Sequence, residues 1–446
     1  MKLSLGDRQC ELLDVSQDVA LFFEQPSDSS VEKWNKFHQE LVDQYSYDTK
    51  FYVGSLSLCG ARLKTGVHFQ NVVFDLLDLQ GADLGGLLLN GAYVKEQLKC
   101  RRLVVHNEFS CAGAMICGDF YLNFAAIHCR ANFNELQVDG CLQVVSSLFH
   151  DRLTFSEARL EQVVFQSSSF LGQTSFENTH FSGAAQFEVC DFRGDVVFRS
   201  MKKDKDATVG FCEDAFFAGS RFWGAVEFSN LVMNDVSFAR TQFNKEAIFS
   251  SLSLKDVSFL YVDLSRNVRF YNVVWEERHG RYYLKDELES GVLETEHERL
   301  DAVKKQYGEL VSYYDDVRDS ESGEKFFISE MQVKAKKAKF YEKPVFALYN
   351  ITSKFGTSWL RAASLLLFLI FIFSPTVVCF SSEVDGYLSA LVKTIQLLLL
   401  HKNAYVELKS DAIFFVYVLL QLAMLSQVAL FSLAIRRRFR RGGVPS

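Results

Sequence analysis

The chain has 446 residues, a formal net charge of −7 and acidic and basic residues mixed along its length. So mild and mixed a balance excludes binding driven by one strong single-sign field, and no nucleic-acid partner is expected. Ten Cys without a CxxC pair fit small buried residues in a reducing compartment, and only four Pro interrupt the chain, as a continuous stack of strands requires.

Residues 1–50 read as an N-terminal cap with a helix. Charge interrupts Met1 to Ala20, so no secretory signal is expected. Ser29 and Glu32 are spaced as a capping box, and Trp34, Phe37, Leu41 and Val42 give the helix an apolar face. A cap is needed because the segment that follows is a repeat whose open end would expose unpaired strand edges. The same cap can serve as a sensor or docking unit.

Residues 51–275 carry an apolar residue every five or six positions. The beat runs through Leu58, Leu63, Phe69, Phe74, Leu79, Leu84 and Leu89, then Phe155, Leu160, Phe165, Phe170, Phe176, Phe181, Phe187, Phe192 and Phe198, and on to Phe270. Neither a helix nor an ordinary strand has this period. A small residue often sits two positions earlier, as in Ala82 before Leu84 and Ala185 before Phe187. A five-residue unit cannot bury its own apolar side chain, so the units must stack until those side chains form a continuous column. The 42 Phe are therefore core residues, and the six-residue steps are bulges at corners.

Gly81-Ala82-Asp83-Leu84-Gly85 and Thr179-His180-Phe181-Ser182-Gly183 resemble the pentapeptide-repeat family. That resemblance implies a right-handed quadrilateral β-helix, an all-β solenoid in which four pentapeptides make one square coil. Arg199 to Gly210, with Lys202, Lys203 and Lys205, interrupts the beat and reads as an exposed loop, either a solvated charge run or a contact for an acidic partner. His106, His128 and His150 recur every 22 residues, which places them in a ladder on one outer face. Such a ladder can take Zn²⁺ or respond to pH, although no carboxylate or thiolate set completes a tetrahedral site. No cofactor is expected.

Residues 276–356 read as a helical connector. Leu293, Leu300, Val303, Tyr307, Leu310 and Tyr314 follow a heptad seam, which serves either packing on the last coil or association of two or more chains into a homo-oligomer. A polar linker, Asp315 to Glu324, a helix from Phe326 and an interfacial segment, Val345 to Phe355, complete it.

Residues 357–441 read as a transmembrane hairpin. Leu360 to Phe380 contains only Arg361 as a charge and Ala412 to Ile435 contains none, each long enough for two transmembrane helices in a lipid bilayer. Lys334, Lys336, Lys337, Lys339, Lys343 and Lys354 before the first span, and Arg436, Arg437, Arg438, Arg440 and Arg441 after the second, predict both termini and the β-helix on the cytoplasmic side. Leu388 to Leu400 is too short to span and reads as a re-entrant or interfacial helix; His401-Lys402-Asn403 stands where a selectivity filter would begin, and no TVGYG-like filter is present. Gln421 and Gln427 either pack the hairpin or line a path.

Phe326 to Lys339 and the cluster Ala434 to Arg441 resemble bacterial inner-membrane proteins in which a pentapeptide solenoid precedes two spans. No GxSxG, HExxH, Walker or dinucleotide motif occurs, so no enzyme is expected. The leading expectation is a scaffold anchored in the membrane whose cytoplasmic β-helix binds or senses a protein partner. An oligomeric, pore-forming effector is the alternative, and a DNA-mimicking topoisomerase inhibitor a remoter one.

Overall fold

The computed structural model describes residues 2–5, 8–45, 49–201, 209–288, 295–373, 386–398 and 411–440. The chain divides into two units, Met1–Glu276 with Tyr283–Leu293, and Glu277–Tyr282 with Glu294–Ser446. The first is a β-solenoid of about ten turns of parallel stacked strands. One turn passes through Gln137, Leu142, Leu148 and Leu153, which pair in parallel with Arg159, Val163, Ser169 and Thr174 of the next. There are thus four ladders per turn, and a five- or six-residue step carries the chain from each to the next. The coil is widened between His180 and Gly210 and between Asp191 and Arg221, where the chain returns to its ladder only after the insertion that contains the expected lysine loop. Lys202, Lys203 and Lys205 lie outside the described residues.

Inward residues alternate between a large one on each side and a small one two positions earlier. From Phe149 and Phe155 onward most of the large positions are Phe, with Leu160, Met233, Leu254 and Leu264 as exceptions, and the Phe form continuous stacks. One stack is Phe149, Phe170, Phe192, Phe222 and Phe243, with successive centroids 5.4, 4.8, 4.9 and 5.4 Å apart. A second runs from Phe165 through Phe187, Phe217 and Phe238 to Phe259, at 5.1, 4.9, 4.8 and 5.6 Å. These separations match the strand spacing of about 4.8 Å, so the rings are spaced by the backbone ladders that carry them.

The four corners are of two kinds. Those after the second and fourth sides hold a residue in the left-handed region, among them Ser146 (φ 52°), Glu157 (φ 61°) and Val189 (φ 54°). Those after the first and third sides bring backbone against backbone: a Cβ on Gly194 would lie 2.2 Å from the Gly172 carbonyl oxygen, and one on Gly224 would lie 2.3 Å from that of Gly194. Only glycine fits these close approaches without a backbone shift.

Just after one left-handed corner the small inward residue is a hydroxyl or thiol that ties successive turns together. Ser168 Oγ donates to the Val144 carbonyl at 2.8 Å and accepts from the Ser147 amide at 3.1 Å. Ser220 Oγ donates to Phe187 at 2.6 Å and accepts from the Cys190 amide at 2.8 Å. Cys190 Sγ and Thr241 Oγ1 donate to Phe165 and Phe217 in the same way, at 3.3 and 2.8 Å. These side chains satisfy backbone groups that the corner takes out of the ladder.

The N-terminal end is closed by a hairpin and two helices. The strands Lys2–Leu5 and Arg8–Asp14 are antiparallel, and the second adds in parallel to Thr49–Ser57, the first strand of the solenoid. Helix α1, Ser16–Phe23, leads to α2, Asp28–Gln44, whose N-cap is Ser27 in a capping box with Ser30. On the edge of the first turn, Trp34 Nε1, Asn35 Nδ2 and His38 Nε2 meet the carbonyls of His68, Gly66 and Gln70 at 2.8, 2.7 and 2.8 Å. Asp28 Oδ1 and Asn35 Oδ1 accept from the Thr65 and His68 amides at 2.9 and 3.1 Å. Side chains of one helix thus replace the hydrogen bonds of a missing strand. Burial pulls the His38 pKa down, so the ring is neutral and donates through Nε2. At the other end a short helix, α3, Lys285–Leu288, places buried Asp286 to accept from Ser258 Oγ and from the Phe259 amide at 3.0 Å.

The second unit is helical. Helices α4, Glu296–Asp316, and α5, Ser320–Lys337, pack side by side; α6, Lys343–Ser353, and α7, Trp359–Phe368, follow, with α7 passing into a π-helical stretch, Leu369–Phe373. Helices α8, Tyr387–Leu398, and α9, Asp411–Arg440, complete it, and α9 packs against α7.

This unit overturns the expected transmembrane pair: among the described residues no helix is long and apolar enough to cross a membrane. Of the expected span Leu360 to Phe380, the described part belongs to α7 and to the π-helical stretch as far as Phe373; residues 374–380 lie outside the described residues. The stretch Ala412 to Ile435 falls within α9, which extends from Asp411 into the arginine cluster and buries polar Gln427 at mid-helix. An apolar window serves helices packed on one another as readily as helices in lipid, and the window alone does not separate the two. Residues 388–400, expected as a re-entrant or interfacial helix, coincide with α8 as far as Leu398; His401-Lys402-Asn403 lie outside the described residues.

Candidate functional site

On the third ladder, one outward position per turn forms a single column: His106, His128, His150, Leu171, Arg193, Trp223 and Asn244. The amide of each residue from His128 to Asn244 donates to the turn before it, at 2.8 to 2.9 Å, to Val105, Ile127, Phe149, Phe170, Phe192 and Phe222 in order. The side chains are therefore held at strand spacing along one face, and the Phe149 to Phe243 stack lies directly beneath part of it.

The three histidines stack in the order their spacing predicts. The His106 and His128 rings are 5.3 Å apart and 9° from parallel, and the His128 and His150 rings are 4.5 Å apart at 29°. His106 Nε2 meets Asp83 Oδ1 at 2.7 Å. Burial first, then the like charge that His150 and His106 would carry, lowers the pKa of His128. In face-to-face rings the nitrogen lone pairs lie in parallel planes and do not converge. Among the described residues no group of three or more His, Cys, Asp or Glu is arranged to hold a metal ion.

Further along the column, Asp191 accepts from Trp223 Nε1 at 2.7 Å and lies 3.6 Å from Arg193 Nε. The carboxylate fixes an indole that is 46% exposed beside an exposed guanidinium. Trp and Arg held rigidly on a surface are the side chains that most often anchor protein–protein contacts. Sequence reasoning found the histidines by their period and missed Arg193 and Trp223, because Leu171 ends the run of histidines and the widened coil then takes Trp223 out of the 22-residue count.

The other chemical grouping lies on the first ladder, in an open cleft of about 490 Å³ lined by Asp139, Arg159, Glu161, His180 and Glu213 among others. Cys212 Sγ is 3.8 Å from His180 Nδ1 there, the pairing of a thiol nucleophile with its base. Burial raises the Cys212 thiol above its ordinary pKa, which disfavours the thiolate. Other thiols are pushed up by burial in the same way, Cys129 to about 11 and Cys190 to about 12. They act as small core residues.

The remaining predicted positions are in the helical unit. Leu300, Val303, Tyr307, Leu310 and Tyr314 are buried, and Tyr307 and Tyr314 contact Phe326 of α5 at 6.2 and 5.4 Å between ring centroids. The stripe is thus used within one chain, and a seam between chains would require α4 and α5 to separate; Leu293 lies outside the described residues. Gln427 Nε2 donates to the Ala362 carbonyl at 2.9 Å and to that of Thr352 at 3.4 Å, joining α9 to α7 and α6. Gln421 is half-buried on α9, six residues earlier.

A scan against models of protein families matches none, and searches of curated proteins and of solved structures each find no significant match.

Proposed function

We propose that the protein is a non-enzymatic scaffold whose solenoid binds a protein partner along the third-ladder face, in a reducing compartment such as the cytoplasm. The observation that carries this reading is the straight column from His106 to Trp223, in which an oriented Trp–Arg pair and a stacked imidazole run stand on a core of stacked rings. A rigid ruled face of this kind presents contacts at fixed intervals and loses little side-chain entropy on binding. The cysteines support the compartment: the nine described are all free thiols.

The test uses a photo-crosslinking amino acid at Trp223 and, for comparison, at Val197 on the fourth ladder, in the full chain expressed in cells. A discrete adduct at Trp223, absent at Val197 and abolished by Arg193→Glu, is expected. Equal adducts from both faces, or none from either, would overturn the reading.

A further inference from the structure

Helix α6 has its polarity reversed. Val345, Leu348 and Ile351, spaced three apart on one face, are 67, 62 and 72% exposed. Its polar residues Thr352 and Ser353 are 9 and 0% exposed, and Ser353 Oγ accepts from the Gly356 amide at 3.0 Å. A helix that shows solvent its aliphatic face and turns hydroxyls toward the protein is built for an apolar surround on its outer side.

The residues before α6 show what that surround is. Lys336, Lys339 and Lys343 are exposed, Phe340 is 91% and Tyr341 67% exposed, and Lys339 Nζ lies 5.9 Å from the Tyr341 ring. Reading along the chain, cations come first, then aromatic rings, then aliphatic side chains. This is the order of a bilayer surface, with lysines at anionic headgroups, Tyr at the interface and apolar side chains at the acyl boundary. Neighbouring helices repeat the outward apolar habit, α7 with Leu360 and Leu367, α8 with Leu388 and Val392. No bounded groove is needed for a fluid phase to cover such positions. A second copy of the chain fits less well, because a two-fold contact through this face would bring the two lysine clusters together.

We infer that α6 and the Lys336 to Tyr341 segment form an in-plane docking surface for an anionic lipid bilayer, entering the interface without crossing it. The inference is independent of the proposed solenoid face.

The purified full chain is expected to co-sediment with vesicles of phosphatidylcholine and phosphatidylglycerol, and more weakly with phosphatidylcholine alone. Leu348→Asp with Ile351→Asp, both on the exposed face, should weaken vesicle binding on the order of tenfold or more, the loss of about 1.4 kcal/mol or more, while the thermal midpoint stays unchanged. Lys339→Glu with Lys343→Glu should remove the preference for anionic lipid and keep the fold. The inference is overturned by absent co-sedimentation, by binding that survives the Leu348/Ile351 pair, or by that pair dissociating a dimer with vesicle binding intact.

Discussion

The two halves of the solenoid fill the same four-ladder frame by different means. Toward the N-terminus the strands are long, nine residues in Thr49–Ser57 and seven in Arg62–His68 and Val72–Asp78, and they run through corners with register shifts. The core there is mostly aliphatic, with Leu63, Val67, Leu77, Leu84 and Leu87 buried among scattered Phe such as Phe69 and Phe74. Past Phe149 most strands shrink to two residues, such as Ser169–Phe170 and Asp191–Phe192, and stacked Phe rings take over the interior. The first half therefore relies on backbone pairing around irregular, branched side chains. The second relies on columns of identical flat side chains, with the backbone needed only long enough to set the spacing.

The largest effect should come from breaking a column. Phe187 touches Phe165 and Phe217 in its own stack and Phe176, Phe181, Phe198 and Phe211 beside it. Phe187→Ala is expected to cost about 3–5 kcal/mol, with hydrogen-exchange protection lost on both sides of the gap. Leu87→Ala in the aliphatic half should cost about 2–5 kcal/mol and confine the loss to adjacent turns, because long strands there keep their own hydrogen bonds. Equal spreading in both halves would remove the distinction.

A smaller effect isolates the corner hydroxyls of the Phe half. Ser220→Ala leaves the Phe187 carbonyl and the Cys190 amide without their partner in a buried corner, at a cost of about 1–3 kcal/mol in chemical denaturation. Ser220→Thr should recover most of that loss, since Thr241 fills the same role one turn on.

The smallest runs the other way. Val189 holds a left-handed backbone that costs an ordinary L-residue about 1–2 kcal/mol, and its side chain is exposed. Val189→Asn should raise stability by about 1 kcal/mol, read as a higher melting temperature, because Asn tolerates that region. An unchanged melting temperature would mean the corner is not strained.

The beat from Leu58 to Phe270 made the inward residues legible, because burial in a stack tolerates no other period. The corner devices were harder to read. Ser168, Ser220 and Thr241 occupy a position that looks merely small, and their hydrogen bonds appear only when turns are superposed. The left-handed corners carry Glu157, Val189 and Tyr261, against local preference, since the stack imposes the conformation. At the N-terminus Ser29 and Glu32 look like a capping box, yet Ser27 and Ser30 form it, two residues earlier. In the helical unit the apolar windows were visible and their use was not: Gln427 bonds to carbonyls of α6 and α7, a partnership that composition does not reveal. The histidine ladder followed from simple counting, whereas the Trp223–Asp191 bond needed the insertion to be placed first.

A parallel ladder is in principle endless, since each turn presents the template for another. Asp28, Trp34, Asn35 and His38 use up the donors and acceptors along one edge of the first turn. Without those side chains that edge would present unpaired backbone groups as a template for a further strand, so one helix is what makes this edge a surface.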